Sequence, residues 1–324
     1  PLPSIFGTHN AQAFLGVNPP TVNFGEMVNT GVDINLKTRN IDTDKFSWTS
    51  NLIFSSYKNE IRKLVNEDDA IVGFFAFGQE LTRTVVGRSI GQFYGFVTDG
   101  LFRSQEELDN GPIPIQNVNA QNPEFTGTWL GDIRFKDLDG DGVITDDDRT
   151  FIGDPNPDFT YSITNRFKYG MFDLSIFMQG SYGNDIYNWT RTITEGMQII
   201  SSNQSVAVAN RYSASNPEGI LPRYISGNPN GNDRISDRFI EDGSYLRIQN
   251  VTLGCTLPNT FFGNKSFINQ LRIYGTVQNL HTFTNYSGYD PEVGSFNQNA
   301  ILTGVDFARY PVPRTITLGL NVQF

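Results

Sequence analysis

Apolar and polar residues alternate along several runs of about ten residues. The clearest run closes the sequence, where apolar side chains occupy every second position from Ile316 to Phe324 and small or polar residues stand between them. Successive side chains of an extended strand point to opposite faces of a sheet, so this alternation predicts strands with one apolar and one polar face. The same pattern recurs at 32–36, 46–54, 159–169, 172–178, 245–257 and 271–280. We expect roughly eight to ten strands in all.

The connections between these runs are unequal in length. Short polar turns are predicted at 42–44 and around Gly170, whereas long connections are predicted at 59–92, 99–156, 181–243 and 284–312. Charged residues share the polar face, and aromatic residues stand at strand ends, as Tyr169 and Phe172 do across one turn. Short turns on one rim, long loops on the other and aromatic ends are typical of an outer-membrane β-barrel. A soluble β-sandwich also has alternating strands, but its loops are seldom this long.

Composition narrows the choice of function. The 324 residues carry a net charge of −10, which removes the basic surface that a nucleic-acid-binding protein needs. The sequence has two histidines, His9 and His281, and one cysteine, Cys255. A disulfide framework and a Cys/His zinc site are therefore excluded. Cys255 shares its strand face with apolar residues, and His281 is predicted at the end of a strand. No run of about 18 apolar residues exists that would form a transmembrane helix.

One local motif has metal-binding spacing. Residues 137–148 read DLDGDGVITDDD, with carboxylates at positions 1, 3, 5 and 12 of a calcium loop and Gly142 at position 6. The predicted ligands are the side chains of Asp137, Asp139, Asp141 and Asp148, the backbone carbonyl of Val143, and Thr145 directly or through water. Position 12 is normally glutamate, and the sequence predicts no flanking helix pair. We therefore expect a structural Ca²⁺ within a long connection of a β protein, with a metal-free acidic turn as the alternative.

Catalytic chemistry is not expected. Residues 87–91 match the G-x-S-x-G pattern of hydrolases, but no helix is predicted after Ser89 and no histidine base lies in a suitable setting. Aromatic residues of the predicted loops could stack on sugar rings, but packing between loops is the interpretation we favour for them. They are Tyr187, Trp189, Tyr286 and Tyr289.

Several motifs, taken together and in order, resemble the C-terminal part of SusC/RagA-type TonB-dependent transporters of Bacteroidetes. The sequences that carry the resemblance are GQFYGFVTDGLF at 91–102, GDIRFKDLDGDG at 131–142, DRTFIGDPNP at 148–157, FMQGSYGNDIY at 177–187, FIEDGSYLRIQNVTLG at 239–254, VQNL at 277–280 and RYPVPRTITLGLNVQF at 309–324. The terminal Phe324 also resembles the aromatic signal that barrel-assembly machinery recognises.

The resemblance implies an all-β fold, in which residues 1–324 form the C-terminal part of a transmembrane antiparallel barrel of about 22 strands. On this interpretation the plug and the N-terminal domain are absent from the sequence. The implied function is active import of large nutrients, either oligosaccharides and glycans or peptides, across the bacterial outer membrane. The implied partners are a SusD-like surface lipoprotein, the TonB–ExbB–ExbD complex acting through the missing N-terminal parts, outer-membrane lipid, and a second copy of the transporter–lipoprotein pair.

Two other functions stay open at this point. A passive porin-like or structural barrel would share the strands but would lack a plug and a TonB box upstream. A secreted β-rich module that binds calcium and glycans would share the loop motif but would need no detergent to stay in solution.

Overall fold

A computed structural model describes residues 4–8, 21–66, 69–197, 202–263 and 267–324. Its main feature is one antiparallel sheet in which eight strands lie side by side in chain order. These strands are β1 (Ser4–Thr8), β2 (Thr21–Asp42), β3 (Phe46–Lys63), β4 (Phe159–Tyr169), β5 (Phe172–Tyr182), β6 (Tyr245–Pro258), β7 (Gln270–Thr284) and β8 (Thr315–Gln323). The predicted strand pattern and the all-β fold class are therefore confirmed, with an open sheet in the described part of the chain.

The two ends of the sheet differ in their connections. At one end, β4 joins β5 through Gly170 and Met171 alone, and Gly170 has a φ of 56°, a conformation that glycine adopts without strain. At the same end, residues 43–45 join β2 to β3 and residues 259–269 join β6 to β7. The other end carries three long connections, 64–158, 183–244 and 285–314, whose described residues we call the loop body.

One face of the sheet is apolar and exposed. Register places Leu318 beside Gly275, Leu253, Leu174 and Phe167 in successive strands, so that a continuous apolar row crosses the sheet. Leu318 is 85% exposed and Leu253 is 56% exposed, because no described element covers this face. Cys255 lies on the same face, two residues from Leu253, as the alternation predicts.

The polar residue Asn165 lies on the apolar face, and its amide oxygen is paired within the sheet. Asn165 stands between Ile163 and Phe167 on this face, and its Oδ1 accepts hydrogen bonds from Trp48 Nε1 at 3.0 Å and from Ser50 Oγ at 2.6 Å. Trp48 also stacks on Phe167, with ring centroids 5.7 Å apart. The amide therefore costs less on an apolar face than an unpaired amide would.

The opposite face is polar. Arg272 of β7 donates to Asp173 of β5 across the intervening strand, with an N–O distance of 2.6 Å. Ser55 donates a hydrogen bond to Asp33 at 2.5 Å, between neighbouring strands of the same face. These contacts are those of a wetted surface, since charged groups far from water would need fuller pairing.

The loop body has short elements of its own. A four-stranded sheet runs in the order Thr150–Gly153, Gln92–Gly95, Gln79–Thr84 and Ile71–Phe75, and a three-stranded sheet in the order Ile240–Asp242, Asp185–Asn188 and Val305–Asp306. Two further pairs join Ile113–Pro114 to Val143–Ile144 and Thr98–Leu101 to Ile133–Phe135. The α-helices are Gln105–Asn110, Pro123–Thr126 and Trp189–Glu195. The 3₁₀ turns are Ala76–Gly78, Ile115–Asn117, Asp146–Asp148, Val206–Asn210, Asp237–Phe239, Asn259–Phe261, Phe296–Gln298 and Ala300–Leu302, of which Asn259–Phe261 lies at the short-turn end.

The three long connections share a hydrophobic core. Its buried members are Phe75, Leu81 and Phe93 from the first connection, Tyr187, Trp189, Ile235 and Phe239 from the second, and Leu302 and Val305 from the third. Since each connection supplies part of the same core, the loops pack as one body. A smaller core contains Phe96, Leu101, Ile133, Phe135 and Ile144.

One boundary predicted from the sequence is wrong. Separate connections at 59–92 and 99–156 imply a wall strand between them, but residues 64–158 form a single connection. The aromatic run at 93–96 belongs to the loop body, where Phe93 and Phe96 are buried in its two cores. No helix within the described ranges is both long and apolar enough to cross a membrane.

Candidate functional site

The acidic loop 137–148 lies in the first long connection, just after the short strand Ile133–Phe135. Asp137 caps the loop: its Oδ1 accepts from Gly140 N at 2.7 Å and its Oδ2 from Gly142 N at 2.9 Å. Gly140 and Gly142 have φ of 79° and 88°, which lets the chain turn tightly around that carboxylate. Side-chain oxygens of Asp139 and Asp141 accept from backbone N–H groups two residues later in the same way.

The structure brings three of the predicted ligands together. Carboxylate oxygens of Asp137, Asp139 and Asp141 lie within 4.8 Å of one another, and all three side chains reach solvent. The N–H groups of Gly142 and Gly140 lower the pKa of Asp137. For Asp139 the N–H of Asp141 favours the ionised form, but desolvation and the charges of Asp141 and Asp148 outweigh it and raise the pKa. Adjacent carboxylates that repel one another are the donor set that a hard divalent cation would neutralise.

The other predicted ligands line the base of the loop. Asp148 is fully buried, and its two oxygens accept from Leu138 N and Thr145 N, each at 2.7 Å. The Thr145 hydroxyl accepts from Asp147 N at 3.2 Å, which makes Thr145 the cap of a 3₁₀ turn. Val143 donates its N–H to Asp141 and pairs with Ile113. An ionised carboxylate has about four acceptor sites, so Asp148 retains capacity for a cation.

Buried ion pairs join the connections, and none of them was predicted from the sequence. Asp132 is fully buried and receives Arg223 Nε and an Arg223 terminal nitrogen at 2.9 Å each, which ties the first connection to the second. Arg247 of β6 donates to Asp290 and to Glu292 in the third connection. The partners are 43 to 91 residues apart in sequence, so no local spacing could have indicated them.

Residues singled out for other chemistry have ordinary structural positions. The aromatic residues Tyr187, Trp189 and Tyr286 are buried in the loop body, whereas Tyr289 is exposed. Ser89 donates to Asp154 at 2.5 Å, and no helix follows it. His281 lies in β7 and packs edge-on against Phe283, while His9 lies outside the described residues. Ser104 accepts from Glu107 N at 3.2 Å and N-caps helix Gln105–Asn110 in a capping box.

Comparison with known sequences gives several relatives. The chain is 35% identical over 325 aligned residues to TonB-dependent receptor P3 of Formosa agariphila, covering 96% of the chain and 30% of the relative. It is 27% identical to TonB-dependent receptor SusC of Bacteroides thetaiotaomicron, covering 94% of the chain and 27% of the relative. No family model matches the chain. The chain thus spans about 30% of the length of the P3 receptor. Both relatives are named as receptors, which agrees with the expectation that the chain is not an enzyme.

Comparison with solved structures supports the same fold. The structure of the RagAB peptide transporter superimposes with a TM-score of 0.74 at 21% identity, covering 97% of the chain and 31% of that transporter chain. The RagAB peptide importer in its open-open state gives a TM-score of 0.72. At this identity the likeness establishes the fold, in which the eight-stranded sheet corresponds to part of a transporter barrel.

Proposed function

This chain belongs to the SusC/RagA-type TonB-dependent receptors, and on that premise we propose that it supplies barrel wall and surface loops to an outer-membrane nutrient importer. The observation that carries the proposal is the two-faced sheet with its loop body at one end. An exposed apolar face suits lipid, a polar face suits a wet lumen, and short turns suit the periplasmic rim. The cargo would be an oligosaccharide, a glycan or a peptide too large for a porin.

The loop body would form the outer vestibule of the importer. Its shared core and buried ion pairs hold three connections in one arrangement, so that a cargo would meet a preformed surface. A SusD-like lipoprotein would cover this surface, and a second copy of the pair would associate with the first. TonB, with ExbB and ExbD, would supply energy through parts of the receptor outside this chain.

Transport is tested with the full-length receptor in cells. A strain that lacks the receptor would be complemented with the wild-type gene and grown on a panel of oligosaccharides and peptides. We expect growth on at least one of them, and we expect that growth to be lost when TonB is removed. Growth that persists without TonB would favour a passive channel, and a native receptor that stays soluble without detergent would favour a secreted module.

We also propose that the loop 137–148 binds Ca²⁺ and thereby stiffens the first long connection. The converging oxygens of Asp137, Asp139 and Asp141 support this role. Val143, Thr145 and Asp148 would complete the oxygen set. A cation would offset their mutual repulsion and hold the loop closed.

The calcium proposal is tested by replacing Asp137 and Asp141 with alanine together. We expect the purified receptor to lose one bound Ca²⁺ and its first connection to be cleaved faster by protease. The control variant replaces Glu106 and Asp109, exposed acids on a neighbouring helix, and removes the same charge. Equal calcium binding in both variants would refute the metal site.

A further inference from the structure

An open cavity of about 530 Å³ lies beside the acidic loop in the loop body. Its wall includes Glu80 and Arg149 on one side, Arg234 on another, and Asp146 at the rim. Residues 79–80, 96, 115–116, 144–146, 149 and 234–235 line it, so the cavity brings together the first and second connections. None of its residues belongs to the predicted calcium ligands except Thr145, which contributes to the wall.

Arg234 is the unusual member of this cavity. Its guanidinium carbon lies 5.1 Å from the centre of the Phe96 ring and 5.6 Å from that of Phe135, so the group is held against the smaller hydrophobic core. In the described part of the chain no hydrogen bond or ion pair joins this guanidinium to an acceptor. Burial lowers its pKa, while the charges of Asp146 and Asp233 act in the opposite direction. A half-buried arginine held in place by aromatic rings is ready to bind an anion.

The Arg234 guanidinium is the unpaired cation of a charge-balanced lining. The charged lining residues are Glu80, Asp146, Arg149 and Arg234. Glu80 accepts from Arg83 Nε at 2.6 Å and from Arg149 at 2.9 Å, so its carboxylate is already paired with two guanidinium groups. Asp146 is exposed and forms no ion pair with any described residue. A ligand carboxylate would therefore pair with Arg234, because arginine binds that group with two parallel hydrogen bonds.

The uncharged lining indicates which kind of carboxylate the cavity would accept. Gln79 and Gln116 are exposed amides that can donate to and accept from peptide groups. Among the described lining residues no exposed aromatic ring is available to stack on a sugar, since Phe96 is only 6% exposed. The nearby Tyr94 ring is covered by the guanidinium groups of Arg83 and Arg149, whose carbons lie 3.8 and 4.8 Å from its centre.

We propose that this cavity is a subsite of the importer for an acidic peptide, with Arg234 binding a carboxylate and Gln79 and Gln116 contacting the peptide groups. The inference rests on the proposed import function and makes its cargo specific. Asp146 at the rim would repel the same carboxylate, and so would set how tightly the ligand is held.

Binding is measured by calorimetry on the purified full-length receptor in detergent with calcium present. Tetraglutamate is the probe, tetraglutamine is its neutral counterpart, and tetragalacturonate carries the same acid groups on a sugar. We expect tetraglutamate to bind, Arg234→Gln to weaken it about tenfold, and tetraglutamine to be unaffected by that change. The matched control is Arg309→Gln, an exposed arginine outside the cavity, which should leave the affinity unchanged.

A second variant covers the possibility that Arg234→Gln disturbs folding. Asp146→Asn changes only an exposed rim residue and is expected to tighten tetraglutamate binding several-fold. The proposal is overturned if tetraglutamate does not bind, if neither variant changes its affinity, or if tetragalacturonate is the probe whose binding depends on Arg234. Because growth is measured separately in cells, growth that depends on TonB alongside unchanged binding would refute this subsite while leaving import intact.

Discussion

Arg223 joins two long connections through Asp132, and its replacement by alanine is expected to open the loop body locally. Asp132 is fully buried, and each of its oxygens accepts one bond from Arg223. The remaining acceptor sites of Asp132 receive Asn232 Nδ2 and Trp129 N, both at 2.8 Å. Arg223 also donates to the carbonyl oxygens of Gly127 and Glu124. Removing Arg223 therefore leaves a buried carboxylate without its countercharge.

The magnitude follows from that orphaned charge. Breaking a buried ion pair from one side costs about 3–5 kcal/mol. Because about 1.4 kcal/mol changes an equilibrium constant tenfold, a loss of this size should raise the population of the locally open state at least about a hundredfold. The double variant Asp132→Ala with Arg223→Ala removes both charges. The free-energy cost of the double variant should be about 1–3 kcal/mol smaller than the sum of the costs of the two single variants.

Hydrogen exchange of the full-length receptor, followed by mass spectrometry, measures this opening. Ile133 N donates to Asn232 Oδ1 at 3.0 Å within the same network, so the peptide that contains it should exchange faster in the variant. The control is Arg62→Ala, since Arg62 is 55% exposed in its pair with Glu60 and an exposed pair contributes at most about 1 kcal/mol. Exchange at Ile133 that rises less than tenfold, or additive costs in the double variant, would refute the reasoning.

Three further predictions concern single positions. At Glu241, desolvation raises the pKa, but the N–H and hydroxyl of Ser287 and the charge of Arg191 outweigh this effect, so the pKa in the folded protein is lowered. The contribution of Glu241 to stability is therefore complete above the ordinary glutamate pKa. It is lost as the pH falls through the pKa of the folded protein. Glu241→Gln should therefore shorten the protease half-life of the loop body at pH 7, and the difference from wild type should disappear in acid. Asn165→Leu should lower the urea midpoint of the receptor in detergent although leucine is more apolar, because Trp48 and Ser50 lose their acceptor at about 1–3 kcal/mol; a higher midpoint would contradict this. Gly170→Val should cost about 1–3 kcal/mol in the same assay through backbone strain at positive φ, whereas Gly170→Asn should cost much less, and equal midpoints would show that the turn relaxes.

The sheet was predictable from sequence because its signal is local. Each strand from β2 to β8 shows its two faces as an alternation of consecutive residues, and all the predicted ligands of the acidic loop fall within twelve positions. The ion pair of Asp132 with Arg223 has no such signal, since its partners are 91 residues apart. The aromatic residues at 93–96 were wrongly assigned to the wall for a related reason. Alternation shows that one face is buried, but not whether lipid or a loop core buries it.

The unequal ends of the sheet have a consequence for how such proteins diversify. Closing a loop costs free energy that grows only with the logarithm of its length, so the connection of about 95 residues between β3 and β4 costs about 2 kcal/mol more than one of ten residues. Length by itself therefore adds little to the free-energy cost of these insertions, while neighbouring strands keep their register. At the opposite end, the two-residue turn between β4 and β5 leaves no room for such variation in length. Descendants of one ancestral wall can thus differ almost entirely in what they present to the environment.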